Sequence, residues 1–87
     1  MNNNEEKKNL ENLFNNGIVY LKKDQVESAI INFNKILLLR PNHPETLNFL
    51  SISHSRNKNY KEALSYIKKA IKSKPTEPVF YINLGNI

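Results

Sequence analysis

Few residues of the chain have types and spacings that could support catalysis or metal binding. The 87 residues include two histidines, His43 and His54, and no cysteine. A metal site needs ligands that converge, and neither histidine has a second histidine or a carboxylate three or four residues away. The two glycines, Gly17 and Gly85, are isolated, so the sequence has no Gly-rich phosphate loop. We therefore predict no enzyme activity, no metal and no cofactor.

The two histidines are expected to play structural roles. His43 lies in a Pro-Asn-His-Pro stretch, which predicts a solvated turn. His54 lies inside an apolar helical pattern, and we predict that it packs, half-buried, between two paired helices.

Basic residues are concentrated in the last third of the chain. Residues 56–87 carry seven basic and two acidic side chains, whereas residues 1–55 carry six of each, so the net charge of +5 belongs to one segment. Such a run is typical of the solvated face of a helix, and an anionic ligand is the less favoured interpretation. No exposed aromatic residue is predicted among these lysines for base stacking, so nucleic acid is the less favoured partner.

The composition indicates the cellular compartment and the size of the domain. The absence of cysteine favours a reduced, cytoplasmic setting. The N-terminus is polar and acidic rather than basic and apolar, and no apolar run reaches membrane-spanning length, so we predict no signal peptide and no membrane span. With 39% apolar residues, the chain is expected to form one small domain.

Apolar residues recur at helical spacing in five segments, separated by polar or proline-containing breaks. Proline lacks the amide hydrogen that a helix interior needs but is tolerated in the first turn, so Pro41 and Pro75 should end helices and Pro44 and Pro78 should begin them. Asn59 and Glu62 have the spacing of a capping box. The predicted helices are 5–22, 25–39, 44–56, 59–73 and 78–87.

The helical pattern repeats with an offset of 34 residues. Leu13 is followed by Leu47 and Tyr81, and Gly17 by Ser51 and Gly85 at this offset. The equivalences extend to the prolines, with Pro41 matched to Pro75 and Pro44 to Pro78. A period in this range indicates a stacked array of helix pairs.

These residues resemble the tetratricopeptide repeat family. The first unit has Leu13-x-x-Asn16-Gly17-x-x-Tyr20, then Ala29-x-x-x-Phe33 and Pro41, and the second has Leu47-x-x-Leu50-Ser51-x-x-His54, then Ala63-x-x-x-Ile67 and Pro75. Tyr81-x-x-Leu84-Gly85 opens a third unit. Asn16 and Ile36 depart from the family pattern. The resemblance implies an all-α solenoid of about five helices, with a polar extension at 1–9, repeats at 10–43 and 44–77, and one helix of a third repeat at 78–87.

The resemblance also implies a concave groove lined by the first helix of each repeat. Asparagine amides there would bind the backbone of an extended peptide, and apolar side chains would add contact area. The alternative for Phe14, Ile18 and Ile52 is packing between neighbouring repeats. The predicted groove residues are Phe14, Asn15, Ile18, Lys22, Asn48, Phe49, Ile52, Arg56, Asn83 and Asn86.

We therefore predict an interaction module that binds a peptide segment or partner protein, whose identity the sequence does not supply. The alternative function is the N-terminal, substrate-presenting part of a larger enzyme such as a glycosyl- or sulfo-transferase.

Incomplete apolar surfaces predict self-association through the uncapped last helix. Tyr81, Leu84 and Ile87 are expected to pack on the second repeat, and Phe80 and Ile82 to face outward. A smaller outward patch is predicted at Ile31 and Leu38 on the second helix.

Overall fold

The computed structural model describes residues 3–87, so Met1 and Asn2, in the predicted polar extension, lie outside the described residues. Within residues 3–87 the chain is all-α, as predicted, and no strand occurs there. Each observed helix end lies within two residues of its predicted position. The five helices are α1 (Asn3–Lys22), α2 (Val26–Leu39), α3 (Pro44–Arg56), α4 (Tyr60–Ser73) and α5 (Pro78–Gly85).

The two repeats reverse direction through the same kind of turn. Asp24 and Lys58, which are 34 positions apart, both adopt the left-handed backbone conformation, with φ of 59° and 62°. The next amide in each repeat, that of Gln25 or Asn59, donates to the carbonyl oxygen five residues before it at 2.8 Å. These bonds satisfy carbonyls that a helix end leaves without a partner. The turn therefore places α2 antiparallel to α1 and α4 antiparallel to α3.

Close approach within each helix pair depends on a small residue in the first helix. A Cβ atom built on Gly17 would lie 2.6 Å from Cε1 of Phe33, whose side chain is fully buried. At the equivalent point of the second pair, the Ser51 hydroxyl donates a 2.7 Å hydrogen bond to the Ala63 carbonyl. Gly85, in the third equivalent position, has nothing within 4 Å of its built Cβ, because no helix of residues 3–87 is paired with α5.

The apolar core is divided between the two ends of the stack. α3 packs on both α1 and α2 as well as on α4, and it thereby joins the two parts. The first cluster of buried residues consists of Leu21, Val26, Ala29, Phe33, Ile36 and Leu50. The second consists of Leu47, Ile67, Ala70 and Phe80.

The orientation of α5 differs from the prediction at two residues. Phe80, expected to face outward, is 1% exposed and belongs to the second core cluster. Tyr81, expected to pack, is 48% exposed, while Ile82 is 61% exposed as predicted. Leu84 and Ile87 pack against the second cluster, as predicted. The reason is that Tyr81 is equivalent to Leu13 and Leu47. Such a residue packs toward the second helix of its own repeat, and residues 3–87 contain no such helix for α5.

Two predictions about helix starts are also corrected. The Asn59 side chain makes no capping hydrogen bond at the start of α4, so the predicted capping box does not form. His43, predicted to be solvated, is half-buried and caps α3 instead. Its Nδ1 accepts from the Thr46 amide at 3.3 Å and lies 2.6 Å from the Thr46 hydroxyl oxygen. A histidine therefore serves here in place of the usual short polar cap residue.

Candidate functional site

The candidate site is the surface formed by α1, α3 and α5, which the end of α2 borders near Ile36 and Arg40. α3 contacts α1 on one side and α5 on the other, so these three helices line up as neighbours. Residues at equivalent positions of the three helices consequently share this surface, which is called the groove below.

Aromatic rings fill the first half of the groove. The ring of Phe14 meets those of Phe33, Phe49 and His43 edge-on, with centroid distances of 6.0, 5.4 and 5.9 Å. Phe33 and Phe49 are stacked at 5.8 Å. Edge-to-face and offset-stacked pairs of this kind are favourable beyond their buried area. Phe14 and Phe49 therefore pack the first repeat against the second. For Phe14, this is the packing role that the sequence analysis gave as the alternative to ligand contact.

A cleft of about 590 Å³ opens beside this ring cluster, between the first half of α1, the end of α2 and the start of α3. Its floor is apolar, formed by Leu10, Phe14 and Ile36, and its rim is polar. Pockets that bind small molecules or side chains have volumes of this order and a similar combination of apolar floor and few polar groups. The lining residues are Asn3, Lys7, Leu10, Glu11, Phe14, Asn15, Ile36, Arg40, His43 and Glu45.

Part of the charge around the cleft is neutralised internally. The Arg40 guanidinium pairs with the Glu6 carboxylate. The Glu45 carboxylate lies 3.7 Å from His43 Nε2 and 3.6 Å from Lys74 Nζ.

Two other charged residues on the rim are open to a ligand. Lys7 and Glu11 are exposed and make no ion pair within the described part of the chain. Among the described residues, the rim thus offers Lys7 as a cation and Glu11 as an anion, neither of them in an ion pair, above an apolar floor.

The four predicted asparagines fall into two groups. Asn48 is buried, and its Oδ1 accepts a 2.7 Å hydrogen bond from Nδ2 of Asn83. This bond connects α3 to α5 and leaves little of the Asn48 amide for a ligand. Asn15 and Asn86 are exposed, so their amides are free to bind a peptide backbone.

A smaller cleft of about 140 Å³ lies at the other end of the groove, between α3 and α5. Arg56 borders it and donates from Nη1 to the Leu21 carbonyl at 2.6 Å, near the C-terminus of α1. A cation in this position interacts favourably with the helix dipole, so Arg56 fastens α3 to α1. The lining residues are Ser51, Ile52, Ser55, Arg56, Asn83, Asn86 and Ile87.

Four predicted groove residues line neither cleft: the Asn48 and Phe49 described above, and Ile18 and Lys22. Ile18 is partly buried against the first core cluster. Lys22 is exposed in the last turn of α1.

Sequence reasoning missed several residues that line the larger cleft. Asn3 and Lys7 precede the first repeat, and Arg40 and His43 follow α2. The groove prediction used only the first helix of each repeat, so it did not include these four residues. The signal that could have found the first two is the absence of a helix-breaking residue between Asn3 and Leu10. That absence predicts that α1 continues back past the start of the repeat.

Two other kinds of site, a metal centre and a membrane span, do not occur within residues 3–87. No group of three metal-ligating side chains lies together in this range. None of its helices has the length and apolar character needed to cross a bilayer. His54 stacks on the Tyr66 ring at 5.3 Å in the half-buried packing role predicted for it, and its Nδ1 is buried without a hydrogen-bond partner.

Comparison with known proteins identifies the repeat. The family model described as tetratricopeptide repeat matches residues 10–43 and 44–77. A similar protein is "Protein CTR9 homolog" of Arabidopsis thaliana, 31% identical over 74 residues. That match covers 85% of this chain and 7% of the plant protein, so the chain corresponds to a small part of its relative.

Proposed function

We propose, from the premise that the chain belongs to the tetratricopeptide repeat family, that it binds a peptide segment or partner protein in its groove. The observation that supports this proposal best is the cleft of about 590 Å³, with its apolar floor, polar rim and the exposed amide of Asn15 beside it. Such a combination suits one apolar anchor side chain and an adjoining stretch of peptide backbone.

In the proposed binding mode, the ligand places an apolar side chain against Leu10, Phe14 and Ile36. The Asn15 amide then hydrogen-bonds the ligand backbone, since an amide can both donate and accept. The chain of the ligand continues across the groove toward Asn86 and the smaller cleft. Lys7 and Glu11 select among ligands by the charges that flank the anchor.

The partner is defined only by this chemistry. The plant relative is matched over 7% of its length, so the similarity supports the repeat architecture and does not transfer its partners to this chain. None of the contacts among residues 3–87 favours the alternative of a substrate-presenting segment of a larger transferase.

A second copy of the chain is a further proposed partner. The outer face of α5 exposes Val79, Tyr81 and Ile82, and Gly85 there has nothing packed against it. Exposed apolar patches of this kind mark interaction surfaces. We propose that two copies associate through this face, either end to end or by exchange of α5.

A peptide selection tests the groove proposal. Peptides are selected from a randomised library on the immobilised chain, and the affinity of the best binder is measured for wild type, Asn15→Ala and Asn34→Ala. Asn34 is an exposed asparagine of α2 on the opposite side, so it controls for loss of an exposed amide. Loss of one neutral hydrogen bond predicts about a two- to tenfold weaker affinity for Asn15→Ala and no change for Asn34→Ala. The reverse pattern, or equal effects, would reject the groove as the binding site.

A further inference from the structure

The outer face of α4 carries a row of lysines that the groove does not use. Lys58 precedes the helix, and Lys61, Lys68 and Lys72 follow at spacings that place them, with Ser65, on one side of it. All are exposed, and none makes an ion pair within the described part of the chain. At a rise of about 1.5 Å per residue, the helical part of the row, from Lys61 to Lys72, is about 17 Å long.

The row contains every basic residue of segment 56–87 whose side chain has no internal partner among the described residues. Of the seven basic side chains between residues 56 and 87, three have internal partners. Lys69 Nζ lies 5.5 Å from the centroid of the Tyr66 ring, Lys74 pairs with Glu45 and Glu77, and Arg56 donates to a carbonyl of α1. The remaining four are the row, so the unpaired basic side chains of residues 56–87 lie along one line.

An apolar patch continues the row onto the first repeat. Ile31 and Leu38 are 55% and 83% exposed on α2. They lie 34 positions before Ser65 and Lys72, so they occupy the same outward face in the preceding repeat. We call the surface made of Ile31, Leu38 and the four lysines the convex surface. It is apolar at Ile31 and Leu38 on the first repeat and basic on the second. The first-repeat positions equivalent to Lys58 and Lys61 are the acidic Asp24 and Glu27, and Glu27 accepts a 2.8 Å hydrogen bond from Asn57 Nδ2.

We propose that the convex surface docks an acidic segment of a partner protein, whose carboxylates lie along the lysine row and whose apolar side chains cover Ile31 and Leu38. Charge complementarity supplies the argument for the acidic part, since a row of unpaired lysines attracts and orients a line of opposite charge.

The composition of the surface favours a protein segment over nucleic acid. The row holds lysines and no arginine, whereas arginine is the side chain suited to bidentate phosphate contacts. Contrary to the prediction from the sequence, one exposed aromatic side chain, Tyr60 at 52%, does lie between Lys58 and Lys61, so the oligonucleotide probe tests base stacking directly. The neighbouring Ile31 and Leu38 have no counterpart in a phosphate backbone, but they match apolar side chains in an amphipathic acidic peptide. This surface is on α2 and α4, away from the groove, so the inference does not depend on the proposed function.

The test is a binding titration with a defined probe on the full chain. The probe is a labelled synthetic peptide of about 16 residues, long enough to span the row, with Glu along one helical face and Leu along the adjoining face. A second peptide replaces each Leu by Ser, and an oligonucleotide of similar length is the third probe. Anisotropy is recorded from about 0.01 M to about 0.15 M salt, over which the Debye length falls from about 30 to about 8 Å.

Three double variants separate the parts of the surface. Lys68→Glu with Lys72→Glu reverses the row, and Ile31→Ser with Leu38→Ser removes the apolar patch. Lys8→Glu with Lys23→Glu makes the same charge change at exposed lysines in α1 and in the turn that follows it. Circular dichroism of each variant serves as the control that the fold remains helical.

The proposal predicts that the Glu/Leu peptide binds at low salt and weakens as salt rises. Reversal of the row should weaken it at least about tenfold, because two attractions become repulsions. For the variant without the apolar patch, the Glu/Leu peptide should bind no more tightly than the Ser peptide. The Lys8 and Lys23 variant should change the affinity much less than reversal of the row does. No binding at low salt, equal loss in the Lys8 and Lys23 variant, or tighter binding of the oligonucleotide would each overturn the proposal.

Discussion

At the residue scale, glycine occupies equivalent positions in two repeats, Gly17 and Gly85, but the surroundings of the two glycines differ. A Cβ atom at position 17 would lie 2.6 Å from Cε1 of Phe33, so glycine at this position leaves room for the ring. Phe33 in turn contacts Phe14 and Phe49, so the glycine determines where the aromatic cluster under the groove lies. Gly85 has no such neighbour.

This contrast gives a matched pair of variants. Gly17→Val should lower the free energy of unfolding by about 2 to 3 kcal/mol, because overpacking a buried site forces the ring and the helix apart. Gly85→Val should change it by less than about 0.5 kcal/mol, as is usual for surface substitutions. Urea denaturation followed by circular dichroism measures both. Similar losses in the two variants would show that the Phe33 contact does not account for the effect, since valine has a better helix propensity than glycine.

At the element scale, α5 is attached to the rest of the molecule chiefly through Phe80. That side chain is buried among Leu47, Ile67 and Ala70 of α3 and α4. The adjoining Tyr81 contributes only a 2.7 Å hydrogen bond from its hydroxyl to the Pro75 carbonyl. The Asn48–Asn83 bond adds a polar link between α3 and α5.

We predict that Phe80→Ala destabilises the fold by about 3 to 5 kcal/mol, the usual cost of truncating a buried phenylalanine. Tyr81→Ala should cost about 1 kcal/mol, since one exposed hydrogen bond is lost. Thermal denaturation gives the stabilities, and amide hydrogen exchange shows whether the amides of α5 lose protection first in Phe80→Ala. If Tyr81→Ala were the more damaging variant, the observed orientation of α5 would be contradicted.

The helices and the repeat were predictable because their signals are local. Apolar periodicity and the prolines determine where α3 and α5 begin, and the 34-residue offset shows which residues are equivalent. The orientation of Phe80 and Tyr81 was not predictable in this way, because it depends on which neighbouring helix is present to pack against.

The candidate site was less predictable than the fold. The pairing of Asn48 with Asn83 joins residues 35 positions apart and requires a specific side-chain geometry that spacing does not supply. The larger cleft depends on how far α1 extends beyond Leu10 and on His43 turning inward to cap α3. Both features are local, but the cleft forms only where α1, α2 and α3 come together, and spacing along the sequence does not show that arrangement.

At the scale of the whole molecule, the two ends of the stack differ. α1 extends past the start of the first repeat, and its N-terminal part forms one wall of the larger cleft. At the other end, Val79, Tyr81 and Ile82 leave the outer face of α5 apolar and uncovered in residues 3–87. A stack of repeats is generally stabilised when its last helix is covered by a further helix with a polar outer side.

Adding one designed polar capping helix after Ile87 should therefore raise the melting temperature by several degrees, since each kcal/mol shifts it by about 4 to 8 °C in a domain of this size. The unmodified chain should self-associate at high micromolar concentration, and the capped chain should remain monomeric. Sedimentation equilibrium measures both. An unmodified chain that stays monomeric at millimolar concentration, with no gain in stability from the cap, would argue against association through α5.

The most direct test of the groove as the binding site is chemical-shift mapping of the isotope-labelled chain with a peptide selected on it. Backbone and side-chain amide shifts report each contact residue without any mutation. We predict that the largest changes occur at Lys7, Glu11 and Asn15 around the larger cleft, and at Asn86 beside the smaller one. Changes confined to the outer faces of α2 and α4, with the groove amides unmoved, would contradict the account.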